Sequence, residues 1–220
     1  ACAYAHFLTY GLQLKERCQF ELGAADYGSL FHASISHFFE LLEKRHLNWR
    51  EITDTQRNQL VEESVAKAME EYQTTVFDSS ARNKSMAGRI RRMTDRTLWA
   101  LGCQWEHGAY EKTWHELDFG RAGGNGVTLP VEEGLELSLR GRIDRVDFAE
   151  EDGSLYVKVI DYKSGSTKLD LGKVYYGLQL QLVLYLEAAM AMAAKRNPNR
   201  KLIPAGIYYY NMKDPIVSGF

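Results

Sequence analysis

Apolar positions along the chain follow three successive rhythms. From Glu21 to Leu47 the apolar residues Leu30, Phe31, Ile35, Phe38, Phe39 and Leu42 fall at helical spacing, with Asp26 or Ser29 as a capping residue. Residues 54–77 and 84–115 predict two more helices, the second long and rich in arginine. The rhythm changes at "HELDFG", which begins strand-like material, and "RAGGNG" reads as a loop. "LELSLRGRIDRVDFAEEDGSLYVKVIDYKSG" predicts two long strands joined by the turn "EEDG", a β-hairpin. "GLQLQLVLYLEAAMAMAAK" predicts a helix that "RNPNRK" ends, and "LIPAGIYYYNM" predicts a last strand. This order predicts one α/β domain over residues 1–220. A mainly helical portion, 1–115, precedes a sheet-containing core, 116–220.

Composition narrows the picture modestly. The 220 residues are 45% hydrophobic and 25% charged, enough for a full core in one domain. The net charge of −2 neither announces nor excludes a nucleic-acid partner, because a carboxylate-rich site offsets basic residues elsewhere. No apolar run approaches the roughly 20 residues of a membrane span, so no membrane role is expected. No secretory leader is recognised. Three cysteines, Cys2, Cys18 and Cys103, are too few and too scattered for a disulfide framework, which points to a reducing cytoplasm. The opening "ACAYAHF" without Met and the ending "DPIVSGF" read as a fragment of a longer subunit.

The chemistry starts from "VIDYKSG". A strand alternates faces with period two, so Asp161 and Lys163 point the same way. In isolation such a pair reads as a surface ion pair worth little. Asp144 lies in "GRIDRVD" on the first hairpin strand, and antiparallel pairing can bring it close to Asp161. Gln181 and Tyr185 stand one helical turn apart and share a face. His32 lies on the first long helix, where a lone histidine more often packs as a hydrogen-bonded core residue. Carboxylates suit hard ions such as Mg²⁺ or Mn²⁺, and such an ion beside an ammonium suits phosphodiester hydrolysis.

Other polar residues take plainer readings. Asp147 is an odd step from Asp144 and faces away. Glu116 reads as a solvated or structural carboxylate, with an accessory role near a metal as the alternative. His6, His37, His46, His107 and His115 read as structural, and Cys18 and Cys103 as core packing. Arg82, Arg89, Arg92 and Arg96 share one helical face, which reads either as a phosphate-contacting stripe or as a solvated or subunit-facing surface. Tyr208, Tyr209 and Tyr210 suit base stacking or an ordinary strand.

The ordered set "GSLFHASISHFF…GRIDRVD…VIDYKSG…GLQLQLVLYL" resembles the RecB-like branch of the PD-(D/E)xK nucleases, and within it the AddB-type nuclease domains. The resemblance covers nearly the whole chain and includes "PAGIYYYNMKDPIV" and the opening "CAYAHFLTYGLQLKER". It implies a restriction-endonuclease-like core, a mixed central sheet flanked by helices. It implies metal ligation by His32, Asp144, Asp161 and the carbonyl of Tyr162, with Lys163 as the catalytic lysine. Asp144 and Asp161 thereby join Lys163 in catalysis, while Gln181 and Tyr185 bind DNA or brace the site. The implied partners are DNA, single-stranded and fed from a helicase, and an AddA-like helicase–nuclease subunit acting in recombinational repair of double-strand breaks. No G-x-x-x-x-G-K-[ST] motor motif is present in the sequence. Cys2 matches the first ligand of that family's 4Fe–4S cluster. No cysteine follows Cys103, so an intact cluster is not expected within these residues. A standalone exonuclease of the same superfamily and a non-cleaving DNA-binding scaffold module are the rival readings.

Overall fold

The structure, a computed structural model, describes residues 2–13, 24–78, 81–120, 127–132 and 135–212. Elements run α1 (Ala3–His6) with a following π turn, α2 (Ala24–Lys44), α3 (Asp54–Asp78), α4 (Ala81–Glu106), β1 (Lys112–Phe119), β2 (Val127–Glu132) and β3 (Leu135–Leu139). Then come β4 (Gly141–Glu151), β5 (Ser154–Lys163), α5 (Leu171–Tyr175), α6 (Gln181–Arg196) and β6 (Lys201–Asn211). The expected "RAGGNG" loop and Cys18 lie outside the described residues.

A mixed four-stranded sheet in the order β1-β4-β5-β6 forms the middle layer. The first three strands are antiparallel, and β6 joins β5 in parallel through the α5–α6 crossover. The β4–β5 turn is Asp152-Gly153, both with positive φ (48° and 74°), as a two-residue hairpin turn of the primed kind requires. On one face Leu182, Ala188, Ala189 and Met192 of α6 pack on Ile143, Val146, Phe148, Val157 and Val159. On the other, Phe31 and Ile35 of α2 and Leu101 of α4 meet Ile160 and Tyr162. The helices α2, α3 and α4 share a separate apolar core through Leu30, Phe38, Leu60, Val61, Ile90 and Leu98. This α/β architecture of a mixed sheet between helical layers is the one expected.

Four boundaries differ from the sequence reading, each for a local reason. The helix expected over 84–115 stops at Glu106, and β1 begins at Lys112. There the His107 ring donates to the Cys103 carbonyl (2.8 Å) and the Gly108 N–H to the Trp105 carbonyl, so side chain and turn end the helix. The single strand expected from Leu135 breaks at Arg140, and β3 pairs with β2 in a separate ribbon. Gly120, at φ 75°, runs so close to Leu139 and Arg140 that a Cβ there would meet the Leu139 carbonyl at 2.0 Å. The helix read from Gly177 begins only at Gln181, because Gly177 (φ 74°) closes the short α5. Finally, α2 starts at Ala24, so Asp26 sits within its first turn, where it accepts a hydrogen bond from Tyr72 of α3. No helix among the described residues is long and apolar enough to cross a membrane.

Candidate active site

The site lies where β4 enters the sheet and β5 leaves it, between α2 and α6. The β4–β5 register sets Arg145 opposite Ile160, which carries Asp144 alongside the end of β5. There the Tyr162 N–H donates to Asp144 Oδ2 at 2.7 Å. From α2, the His32 ring reaches both strands: Nδ1 lies 3.2 Å from Asp144 Oδ1 and Nε2 lies 3.1 Å from the Tyr162 carbonyl. The buried apolar face of α2 fixes this geometry, since Phe31 and Ile35 on either side of His32 sit in the core.

Asp161 and Lys163 share a face, as the strand period requires, and turn toward α6. Lys163 Nζ lies 2.6 Å from Asp161 Oδ2 and donates to Gln181 Oε1 at 2.9 Å. Gln181 Nε2 donates to Asp161 Oδ1 at 3.1 Å and to the Tyr185 hydroxyl at 3.0 Å. One amide thus holds the acid, the lysine and the tyrosine of the next turn. The Lys163 ammonium also lies 5.4 Å from the Tyr209 ring centroid.

Glu116 is the residue that sequence reasoning undervalued. His32, Glu116 and Asp144 each offer one ligand atom, all within 4.8 Å of one another. Glu116 reaches them from the middle of β1 with φ 46°, in the left-handed region. For a non-glycine residue that conformation costs about 1–2 kcal/mol, and such strain clusters at functional sites. Arg142, on the neighbouring strand, pairs with Glu116 (3.3 Å) and Asp118 (3.0 Å). No periodicity in the sequence encodes that backbone turn. These groups open into a cleft of about 640 Å³ that Gly28, Ser29, His37, Glu40 and Glu71 also line.

The electrostatics follow from crowding carboxylates. Burial pushes Asp161 up, the Lys163 ion pair opposes this, and the charge of Asp144 pushes it further up. Burial and then Asp144 push Glu116 up against Arg142 and His32. Burial pushes His32 down, but its hydrogen bond to Asp144 and the charges of Asp144, Glu116 and Asp161 outweigh it, so the net shift is upward. Acids that repel one another beside an imidazole and a carbonyl are a donor set that suits a hard divalent cation. The side chains of His32, Asp144 and Glu116 converge directly, and the Tyr162 carbonyl adjoins the His32 ring. Asp161 lies beside them with its oxygens engaged by Lys163 and Gln181.

The remaining candidates fall elsewhere. Asp147 faces away, fully buried, and takes Arg145 Nε (2.6 Å), Thr113 Oγ1 (2.9 Å) and Lys158 Nζ (2.9 Å). His37 is held by Glu40, Glu71 and Lys67, and His115 stacks on Phe39. Arg89, Arg92 and Arg96 occupy exposed positions on α4, and the Arg82 side chain lies outside the described residues. Tyr209 and Tyr210 are half-buried in β6, Tyr210 edge-on to Tyr162, whereas Tyr208 is exposed. Cys2 is an exposed free thiol, and Cys103 is partly exposed rather than core.

Residues 1–219 match the family model described as the PD-(D/E)XK nuclease superfamily. The chain is 44% identical over 218 residues to a protein of Lachnoclostridium phytofermentans named as an ATP-dependent helicase/deoxyribonuclease subunit, covering 99% of this chain and 18% of that protein. It is 35% identical over 217 residues to the protein of the same name in Alkaliphilus oremlandii, covering 98% of this chain and 19% of the relative. A third such protein, from Caldanaerobacter subterraneus, is 37% identical over 221 residues, covering 99% of this chain and 19% of its own length. The chain therefore spans about a fifth of the length of these relatives. With the mixed sheet, the convergent acids and the adjoining lysine, this match over nearly every residue makes the chain a member of the PD-(D/E)XK nuclease superfamily.

Proposed function

We propose that the chain is a metal-dependent deoxyribonuclease domain, and that it works within an AddAB-type helicase–nuclease in recombinational repair of double-strand breaks. The substrate in this proposal is a DNA single strand, the partner is an AddA-like subunit and the compartment is the cytoplasm. One observation carries the reading: His32, Glu116 and Asp144 each offer a ligand atom within 4.8 Å of one another, the Tyr162 carbonyl lies 3.1 Å from the His32 ring, and Asp161 pairs with Lys163 on the same strand end. The names of the relatives, which join helicase to deoxyribonuclease, support the context.

Residues 32, 144 and 161, the Tyr162 carbonyl and Glu116 would hold Mg²⁺ or Mn²⁺. The chemistry such an ion supplies when bound is polarisation of a phosphoryl oxygen and acidification of a water. The chain's own groups do the rest. Gln181 Oε1 and Asp161 fix the Lys163 ammonium, so its N–H groups meet the developing phosphoryl charge with little reorganisation. Tyr185, tied to Gln181, stiffens that arrangement. Arg142 holds the Glu116 carboxylate in place.

The test is cleavage of end-labelled single-stranded DNA by the full chain with Mg²⁺ or Mn²⁺. Cutting is expected with metal. It should disappear with a chelator and in Asp161→Ala and Lys163→Ala, and Glu116→Gln should weaken metal binding seen by calorimetry. Cleavage that survives both Asp161→Ala and Lys163→Ala would sink the proposal.

A further inference from the structure

The segment between Lys163 and Gln181 carries an exposure that the site does not explain. The four most exposed large apolar side chains among the described residues all lie in it: Leu171 (75%), Tyr175 (84%), Tyr176 (76%) and Leu178 (76%). Soluble surfaces seldom concentrate such residues without a partner. Exposed Lys168 precedes them and exposed Lys173 lies among them, just before the tyrosine pair, and Lys163 ends the strand from which the segment leaves.

The segment is also tied down. Asp170 caps α5 by accepting from the Lys173 N–H at 3.2 Å. Gln179 accepts from the Asp170 N–H (2.9 Å) and donates to the Lys168 carbonyl (3.0 Å). Asn211, at the end of β6, donates to the Thr167 carbonyl at 2.8 Å. Gln179 further reaches the hydroxyl of Tyr209, the residue whose ring lies under Lys163. The tyrosine rings stand 5.2 Å apart at 84°, so they present faces in different directions. Gln181 lies five chain steps after Tyr176, at most about 18 Å. That is about five stacked nucleotide steps of 3.4 Å.

We propose that Tyr175 and Tyr176 form a base-stacking platform for single-stranded DNA, with Lys168 and Lys173 on its phosphates, leading the strand to Lys163 and Gln181. The proposal rests on the DNA reading above. An aromatic pair preceded by lysines suits a flexible polyanion with free base faces, whereas a duplex keeps its base faces stacked. An apolar protein partner would use the leucines but gain nothing from cations beside the catalytic lysine.

The experiment measures binding of a fluorescein-labelled oligothymidylate to the full chain by anisotropy, in chelator so that no cutting intervenes. Tyr175→Ala/Tyr176→Ala should bind roughly tenfold more weakly or worse. Tyr175→Phe/Tyr176→Phe, which keeps the rings, should stay within about threefold of the unmutated chain. Affinity for a blunt duplex should be the same for all three. Equal affinity of the alanine pair for the oligothymidylate overturns the proposal, as does a phenylalanine pair as weak as the alanine pair, or no single-strand binding by the unmutated chain. A change in self-association by sedimentation with unchanged DNA affinity overturns it too and assigns the patch to a protein contact. Tyrosine-dependent binding in a chain that never cuts DNA with metal would retain the platform and remove the nuclease proposal.

Discussion

Asp147→Ala perturbs the most enclosed charge of the sheet. The Asp147 carboxylate is 0% exposed, and Arg145, its closest partner at 2.6 Å, is 2% exposed. The guanidinium carbon sits 5.6 Å and 5.3 Å from the ring centroids of Trp49 and Trp105. Removing the carboxylate leaves that guanidinium desolvated among the two indole rings and the Tyr162 hydroxyl, without its ion-pair partner. Breaking a buried pair in this way costs about 3–5 kcal/mol. At about 2–4 °C per kcal/mol for a chain of this size, Tm should fall by roughly 6–20 °C. The cost belongs to the orphaned cation rather than to the pair, so Asp147→Ala/Arg145→Met should lose much less than the two single variants summed. Urea unfolding followed by circular dichroism measures both, with the slope against denaturant held constant as the check on two-state behaviour. If Asp147→Ala does not fold, Asp147→Asn keeps the shape and isolates the charge. A single-variant loss under about 1 kcal/mol, or strict additivity in the double, refutes the reasoning. Cleavage per folded molecule should persist, because the hydrogen bonds and ion pairs of Asp147 reach Thr113, Arg145 and Lys158 and no side chain of the site.

Gln181→Ala releases Lys163 and Asp161 together, so the cleavage rate should drop about 10–100-fold. Its KM for DNA should barely move; a rise in KM alone would make Gln181 a DNA contact instead. Acid stability should depend on Glu40, whose carboxyl is held below its ordinary value of 4.5: burial raises it, but hydrogen bonds from Lys67 and His37 prevail. The folded carboxyl is therefore charged where the unfolded one is protonated, and the stability it contributes is present above that value and lost as pH falls below it. Lys67→Met should flatten that acid limb in thermal melts taken through pH 4.5, and melting curves with an unchanged limb would contradict the assignment.

What the sequence revealed was local. The period of two put Asp161 and Lys163 on one face, the turn at Asp152-Gly153 announced the hairpin, and the period of 3.6 set Tyr185 one turn from Gln181. The odd offset of Asp147 separated it from Asp144, and the structure turns it to Arg145. What escaped depended on contacts between distant segments. The break at Arg140 follows from the close passage of Gly120, which no pattern around residue 140 records. Glu116 enters the cleft through one backbone angle, so strand alternation alone cannot assign its face. The strand expected at 116 starts at Lys112 because a histidine ring and a glycine end α4 early.

The hydrogen bond from His32 to the Tyr162 carbonyl joins positions 130 residues apart. Hairpins and neighbouring helices form from short loops, whereas this contact closes only when the helical layer docks on a finished sheet. Assembly of the site is therefore expected late in folding, which refolding followed in parallel by far-UV ellipticity and by DNA cleavage would test. A refolding molecule can regain its helical signal and its β4–β5 hairpin while the imidazole and the acids are still apart. Far-UV ellipticity then reports a chain that has its secondary structure and no chemistry, and recovery of activity is the measure of the native state.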